Sequence, residues 1–256
     1  MTKIYYFSGT GNSLWSAKKI AQTIGECELF NIGNEVQNSE ISIEADTVVF
    51  VFPSYAYGLP LAVSRFVKNV IFKTPYLAAF VTYGSSPGGS LAALSRILKK
   101  KNINSLFFGR IPAVENYLAM FGPPKAKTLE RRLSLQKKAT EEAARCILER
   151  RVNRVNTVRP FSALVSLLFL LGIKIFYKHY RLSSECNGCG ICEKLCPVSA
   201  IVMQSGRPVF TKKCEHCQGC VNICPLRAIQ FGRVKHGTPG YRHPEISIDE
   251  LARYEY

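Results

Sequence analysis

Cys186-Asn-Gly-Cys189-Gly-Ile-Cys192-Glu-Lys-Leu-Cys196-Pro197 and Cys214-Glu-His-Cys217-Gln-Gly-Cys220-Val-Asn-Ile-Cys224-Pro225 hold eight of the ten cysteines in the chain. Each run reads C-x2-C-x2-C-x3-C-P. Three thiolates at two-residue intervals wrap three corners of an iron–sulfur cube in one turn of chain, and the fourth is held away by its proline. The second run follows the first by 28 residues at all four positions, and Ala200-Ile201 recurs at the same offset as Ala228-Ile229. A duplicated unit with pseudo-twofold symmetry accounts for that. Two structural zinc sites of four cysteines each are the alternative. Matched spacing and both terminal prolines weigh against it.

The two runs resemble those of two-cluster bacterial ferredoxins, in which the fourth cysteine of each run serves the other cluster. The resemblance implies that Cys186, Cys189, Cys192 and Cys224 hold one [4Fe–4S] cluster, and that Cys214, Cys217, Cys220 and Cys196 hold the other. The remaining cysteines, Cys27 and Cys146, read as buried thiols in a strand and a helix.

At the other end of the chain, Lys3–Phe7 reads as a short apolar strand and residues 14–24 as a helix. Between them lies Ser8-Gly9-Thr10-Gly11-Asn12-Ser13. A strand, a Gly-rich turn and a helix N-terminus make an anion site, because free N–H groups and the helix dipole face the loop. The hydroxyls of Ser8, Thr10 and Ser13 and the amide of Asn12 are candidate partners for phosphate oxygens. No lysine follows and the third glycine of the dinucleotide fingerprint is missing, so a terminal phosphate held without cations is expected. An ordinary Gly-rich turn is the competing reading.

Residues 27–32 form the next expected strand, followed by a polar connection to residue 46. Thr47–Phe52 and Tyr76–Thr82 are continuous apolar runs, the pattern of strands buried on both faces, and Leu106–Ile111 reads as the fifth strand. Helices are expected at about 60–70, 90–101 and 128–152. The first two buried strands end in Pro53-Ser54-Tyr55-Ala56-Tyr57-Gly58 and in Thr82-Tyr83-Gly84, where ligands of open parallel sheets bind.

The Ser8–Ser13 loop resembles the phosphate loop of flavodoxins, which bind FMN. With the cysteine runs, nearly the whole chain resembles the flavodoxin–ferredoxin fusion family. The resemblance implies an α/β fold: a flavodoxin-like, doubly wound parallel five-stranded sheet over residues 1–152, joined to a small α+β two-cluster ferredoxin-like domain over 183–234. It implies FMN sandwiched between the Pro53–Gly58 and Thr82–Gly89 loops, with Tyr55, Tyr57 and Tyr83 as candidate stacking residues. Asn116-Tyr117 matches a family feature near the flavin edge, or is a local turn. Tyr241-Arg242-His243-Pro244, in the tail 235–256, resembles a family motif that brings Arg242 or His243 near a cofactor; a solvated loop is the alternative. Flavodoxins surround the flavin with carboxylates, whereas neither sandwiching loop holds Asp or Glu. That departure is expected to ease full reduction of the flavin.

Residues 153–182 read as a basic linker and an apolar spacer helix, Phe161 to Ile173 or Tyr177. At 13 to 17 residues it falls short of the ~20 that cross a bilayer. Burial between the domains or in a homodimer contact is the expected state, and a membrane surface is the alternative. The formal charge is +16. Oxidised clusters at roughly −2 each and a flavin phosphate at about −2 bring the loaded protein near +10. Basic residues are scattered and no helix-turn-helix or aromatic-basic platform is present, so no nucleic acid is expected as partner. An acidic redox protein or an anionic surface fits better. The N-terminus is already a strand, and a reducing cytoplasm suits the clusters. The four histidines build no hydrolytic constellation. Electron relay between FMN and the clusters is the leading function. Reduction of a small organic acceptor at the flavin is second, and a sensor with a vacant flavin site is a distant third.

Overall fold

The computed structural model describes residues 1–35, 41–103, 106–155 and 160–252. The first half alternates strands and helices: β1 Thr2–Tyr6, α1 Asn12–Ile24, β2 Cys27–Asn31, α2 Ile32–Glu35, β3 Ile41–Glu44, β4 Thr47–Pro53, α3 Leu61–Asn69, β5 Val70–Lys73, β6 Leu77–Tyr83, α4 Ser90–Lys99 and β7 Leu106–Pro112. Five of these strands form one parallel sheet in the order β2-β1-β4-β6-β7. Read by rank along the sheet, this is the 2-1-3-4-5 order of flavodoxin-like doubly wound folds. The two central strands, β4 and β6, are buried at every position but the last, as their unbroken apolar runs require.

Helices cover both faces. On one, Phe66 and Val67 of α3 and Leu91 and Leu94 of α4 pack on Phe50 and Ala79. On the other, Ala17 and Ile20 of α1 meet Val49 and Val51, joined by Ala143 and Ile147 of α6, Ala126–Leu148, which follows the single-turn α5, Leu118–Phe121. Asn153 closes the open edge: its amide bonds Phe108 N–H at 2.8 Å and Phe108 C=O at 3.0 Å, in the manner of a further strand residue.

The second half runs through α7 Pro160–Phe176, a 3₁₀ turn at Tyr177–His179, β8 Arg181–Leu182, α8 Ile191–Lys194, β9 Ile201–Gln204, β10 Arg207–Phe210, α9 Gly219–Ile223, β11 Ile229–Gln230 and α10 Ile248–Leu251. Two antiparallel pairs, β9 with β10 and β8 with β11, flank the short helices, giving a small α+β unit.

Several expectations are corrected. The polar connection before residue 46 contains β3, which pairs in parallel with β5 outside the main sheet. Four residues with a partner well along the chain leave no periodic signal. The sequence pattern over 228–234 reads as a last strand, but only β11 forms, because Phe231 and Val234 already close a turn. The apolar spacer helix is not buried: Phe161 is 71% exposed and Leu171 58%. One face of α7 rests on the protein and the other faces outward. Half of the linker, residues 156–159, and residues 253–256, which include the end of a short last helix expected over 246–254, lie outside the described residues.

Candidate functional site

The β1–α1, β4–α3 and β6–α4 connections converge at the C-terminal edge of the sheet around a pocket of about 450 Å³, within the usual range for small-molecule sites. Ser8, Gly9, Thr10, Asn12 and Ser13 line it, as do Pro53, Ser54, Tyr55, Ala56, Tyr57, Thr82, Tyr83, Gly84 and Tyr117. Gly11 and Gly58 stand behind the lining: Gly11 adopts φ 97° before the first turn of α1, and Gly58 backs onto Ser166 of α7.

The polar residues of the first loop differ in their hydrogen-bond partners. Ser8 Oγ accepts from Gly11 N–H at 3.1 Å and Thr10 Oγ1 accepts from Asn116 Nδ2 at 2.6 Å, so both hydroxyls keep a proton to donate. Ser13 Oγ shares a proton with Thr82 Oγ1 at 2.8 Å. Asn12 differs from expectation. Its Nδ2 donates to Val114 C=O at 3.0 Å and its Oδ1 accepts from Tyr241 O–H at 2.7 Å, so it ties the loop to the tail. The donors fit a phosphate, and Lys and Arg are absent from the lining.

The second loop is strained. Tyr55 and Gly58 exchange backbone bonds at 3.0 and 2.8 Å, with Ala56 and Tyr57 at φ 44° and 64°. A two-residue turn with both φ positive favours Gly or Asn, so Ala and Tyr here cost of order 1 kcal/mol each. The Gly89 N–H holds Tyr57 C=O at 2.8 Å and keeps that turn against the third loop. The Tyr55 hydroxyl is buried without a hydrogen-bond partner of good geometry. Burial raises its pKa well above the usual value, with the neighbouring Cys217 thiol and Glu215 adding to the rise.

Three groups in the pocket wall were not expected. Glu115, from the loop after β7, stands against Gly84 and accepts from Asn116 and Tyr117 N–H at 3.1 and 3.2 Å. The two sandwiching loops are free of acids, but the pocket is not, which removes the basis for expecting unusually easy full reduction. His216 and Cys217 of the second cysteine run form another wall. Val165, Leu168, Phe169 and Phe176 of α7 complete it. A histidine inside C-x2-C and two phenylalanines two helical turns apart were the available signals.

Thiols from the two runs are neighbours of one another. Around Cys192 the neighbouring thiols are Cys189, Cys224 and Cys186; around Cys217 they include Cys196 and Cys214. The Cys186 group surrounds its own small cavity, together with Gly188 and Pro225. Repeated backbone donors meet the sulfurs: Ala200 N–H to Cys196 Sγ at 3.1 Å and Ala228 N–H to Cys224 Sγ at 3.3 Å. Ala200 and Ala228 are both buried beside these sulfurs, and hydrogen bonds of this kind tune cluster sulfurs. Burial pushes Cys192 up to about 12 and Cys214 up to about 11, so these thiolates need a cationic core to form. Among the described residues no three His, Cys, Asp or Glu are arranged to hold a single metal ion. Four thiols spread around a cavity fit a cube.

The second run abuts the first loop. A Cβ on Gly219 would come within 2.7 Å of the Gly9 carbonyl oxygen, and one on Gly9 within 3.3 Å of Cys217 Sγ. Buried Glu215 accepts from Arg65 of α3 at 3.0 Å; burial lifts its pKa to about 7 against the pull of Arg65 and of the Ala62 and Leu61 N–H groups. His216 links pocket to thiol. Its Nε2 faces Tyr117 O–H at 3.1 Å and the Gln218 amide nitrogen at 3.3 Å, and its Nδ1 faces Tyr180 O–H at 2.8 Å. The donating amide makes Nε2 the acceptor and Nδ1–H the donor. Tyr180 O–H then bonds the Cys214 sulfur. Burial lowers the His216 pKa to about 4, so the imidazole is neutral. In the tail, His243 is 1% exposed, stacks on Trp15 at 4.8 Å and donates its backbone N–H to Thr10 C=O at 2.9 Å.

Residues 185–229 match the family described as the 4Fe-4S dicluster domain. The chain joins a flavodoxin-like sheet to a 4Fe–4S dicluster domain. Similar solved structures include a flavodoxin from the domain Archaea, 18% identical over 56% of this chain and 99% of that one, with a TM-score of 0.33. A two-electron reduced flavodoxin of Megasphaera elsdenii is 17% identical over 57% and 99%, TM-score 0.36. An azoreductase from Bacillus anthracis is 11% identical over 58% and 100%, TM-score 0.40. Likeness this slight carries no argument, and strand order bears the fold assignment. No curated protein matches the chain.

Proposed function

We propose that the protein relays electrons between an FMN in the 450 Å³ pocket and two [4Fe–4S] clusters, to or from an acidic redox protein. One observation carries this reading: the pocket and the second cysteine run share a wall, with Cys217 and His216 lining the former and belonging to the latter. When bound, FMN exchanges one or two electrons and each cluster one. The chain supplies the rest. Ser8 and Thr10 hydroxyls and the N-terminal N–H groups of α1 hold the phosphate, while Tyr57 and Tyr83 bracket the ring. The inward face of α7 roofs the site and excludes water, which favours relay over hydride transfer to a diffusing acceptor. Tyr180, His216 and the backbone N–H groups set the field at the sulfurs.

Purification without oxygen, followed by flavin extraction and iron and sulfide counts, tests the proposal. One FMN and about eight iron per chain are expected. Zinc with neither flavin nor sulfide would overturn it.

A further inference from the structure

The two faces of α7 differ. Ser162, Val165, Ser166, Phe169, Ile173 and Phe176 turn inward. Ser166 backs onto Gly58, Ile173 is buried, and the Phe169 and Phe176 rings lie 6.1 and 5.0 Å from His216. Phe161, Leu164, Leu171 and Ile175 turn outward at 53–71% exposure, and Leu168, 58% exposed, reaches from the pocket rim into the same line. Their spacing of three and four residues makes a single stripe. Five such side chains in line on ~26 Å of helix exceed the scattered apolar exposure normal for a surface.

The charges around the stripe run one way. From Arg150 to Ser184 the sequence has seven Lys and Arg and no Asp or Glu. Lys174, Lys178 and Arg181 are exposed in and just after the C-terminal end of the helix, and Arg154 is exposed six residues before it in sequence. Beside α7 runs a groove of about 1190 Å³, apolar along Ala163, Leu167 and Leu170 and cationic along Lys68, Arg96 and Lys99 of α3 and α4. An apolar wall facing a cationic one suits an anionic amphiphile. A second copy of the chain fits poorly, because a twofold contact sets the same patch against itself, and here that brings basic collar against basic collar.

We propose that α7 docks the protein on an anionic membrane surface, its outward stripe entering the acyl boundary while the collar and groove cations take lipid headgroups. Phe161–His179 is long and apolar enough to cross a bilayer by length and composition. Its inward face is committed to the pocket, however, and Lys174 lies on the outward side, so the helix lies in the interface plane.

Flotation of the anaerobically purified holoprotein with vesicles tests this. Binding to phosphatidylcholine mixed with phosphatidylglycerol should exceed binding to phosphatidylcholine alone by at least about tenfold, and should weaken with salt. Leu164→Glu with Leu171→Glu, which line neither pocket nor groove, should abolish binding with flavin and iron content unchanged. Lys174→Gln with Lys178→Gln should weaken it about tenfold. Equal binding to both vesicles, or binding unaffected by the glutamates, would overturn the proposal. So would retention through an alkaline carbonate wash, which marks a spanning helix, or a dimer in lipid-free solution that the glutamates dissociate while vesicles capture nothing.

Discussion

The two cysteine runs have one spacing and two environments. In the first, the residues between cysteines include Gly188 and Gly190 at φ 73° and 75°; at the equivalent places the second has His216 and Gln218 at φ 57° and 60°. Even Ser199 and Arg227, at φ 49° and 51°, correspond. The backbone is thus duplicated, left-handed residues included. Glycine enters that region freely, whereas His and Gln pay of order 1 kcal/mol each. In return they are 3% and 1% exposed and build the wall between the pocket and the thiols. The first run holds exposed Cys189 and Asn187 at the surface. Identical ligand spacing says nothing of rank in a relay; the residues between the ligands do. The second run lines the pocket, and the first lies at the surface.

Removing one ligand from each run should break the symmetry most. Cys217→Ala is expected to lose iron and also release flavin, since Cys217 lines the pocket, whereas Cys189→Ala should lose iron alone; metal and flavin counts after desalting check this. Equal flavin loss in both would end the distinction.

Acid should loosen the inner side next. His243, stacked on Trp15 against the first loop, has its pKa lowered to about 4, chiefly by burial, with Lys19 adding to the effect and Glu245 opposing it. The unfolded chain binds this proton near 6.5 and the fold does not, so stability present above pH 6.5 falls as pH drops toward 4, by no more than ~3 kcal/mol. Urea midpoints across that window should fall, and His243→Gln should flatten that part of the slope.

His216→Gly copies the outer run into the inner one. The backbone accepts it, so iron should stay, while flavin retention weakens about tenfold, ~1.4 kcal/mol, measured by flavin release on dilution. The smallest effect is expected from Tyr180→Phe. Loss of one hydrogen bond to Cys214 sulfur, ~1 kcal/mol, should lower one cluster potential by about 40 mV in a redox titration, and leave the other unmoved.

Legibility in the sequence followed the range of the interaction. The parallel strands and the duplicated cysteine runs were readable because each rests on contacts within a few residues or on a repeat. β3 was not, because four residues pair with β5 beyond an intervening strand and helix. Asn12 was read as a phosphate donor because nothing local reveals that Tyr241 occupies it. Glu115 was passed over because its loop sends it beneath Gly84. The apolar run of α7 was read as buried, since hydrophobicity reports what a helix would cover and not whether cover is at hand.

By itself the sequence determined which chemistry the chain can carry, since ligand spacing and strand periodicity are covalent and local facts. Only the tertiary structure decided the order of the parts: which cysteine run meets the pocket, that the tail latches the first loop, and that α7 roofs the site while presenting five apolar side chains outward. These depend on close packing between segments hundreds of residues apart, where steric fit between two backbones, as at Gly9 and Gly219, selects one arrangement among many that the same local pattern would allow.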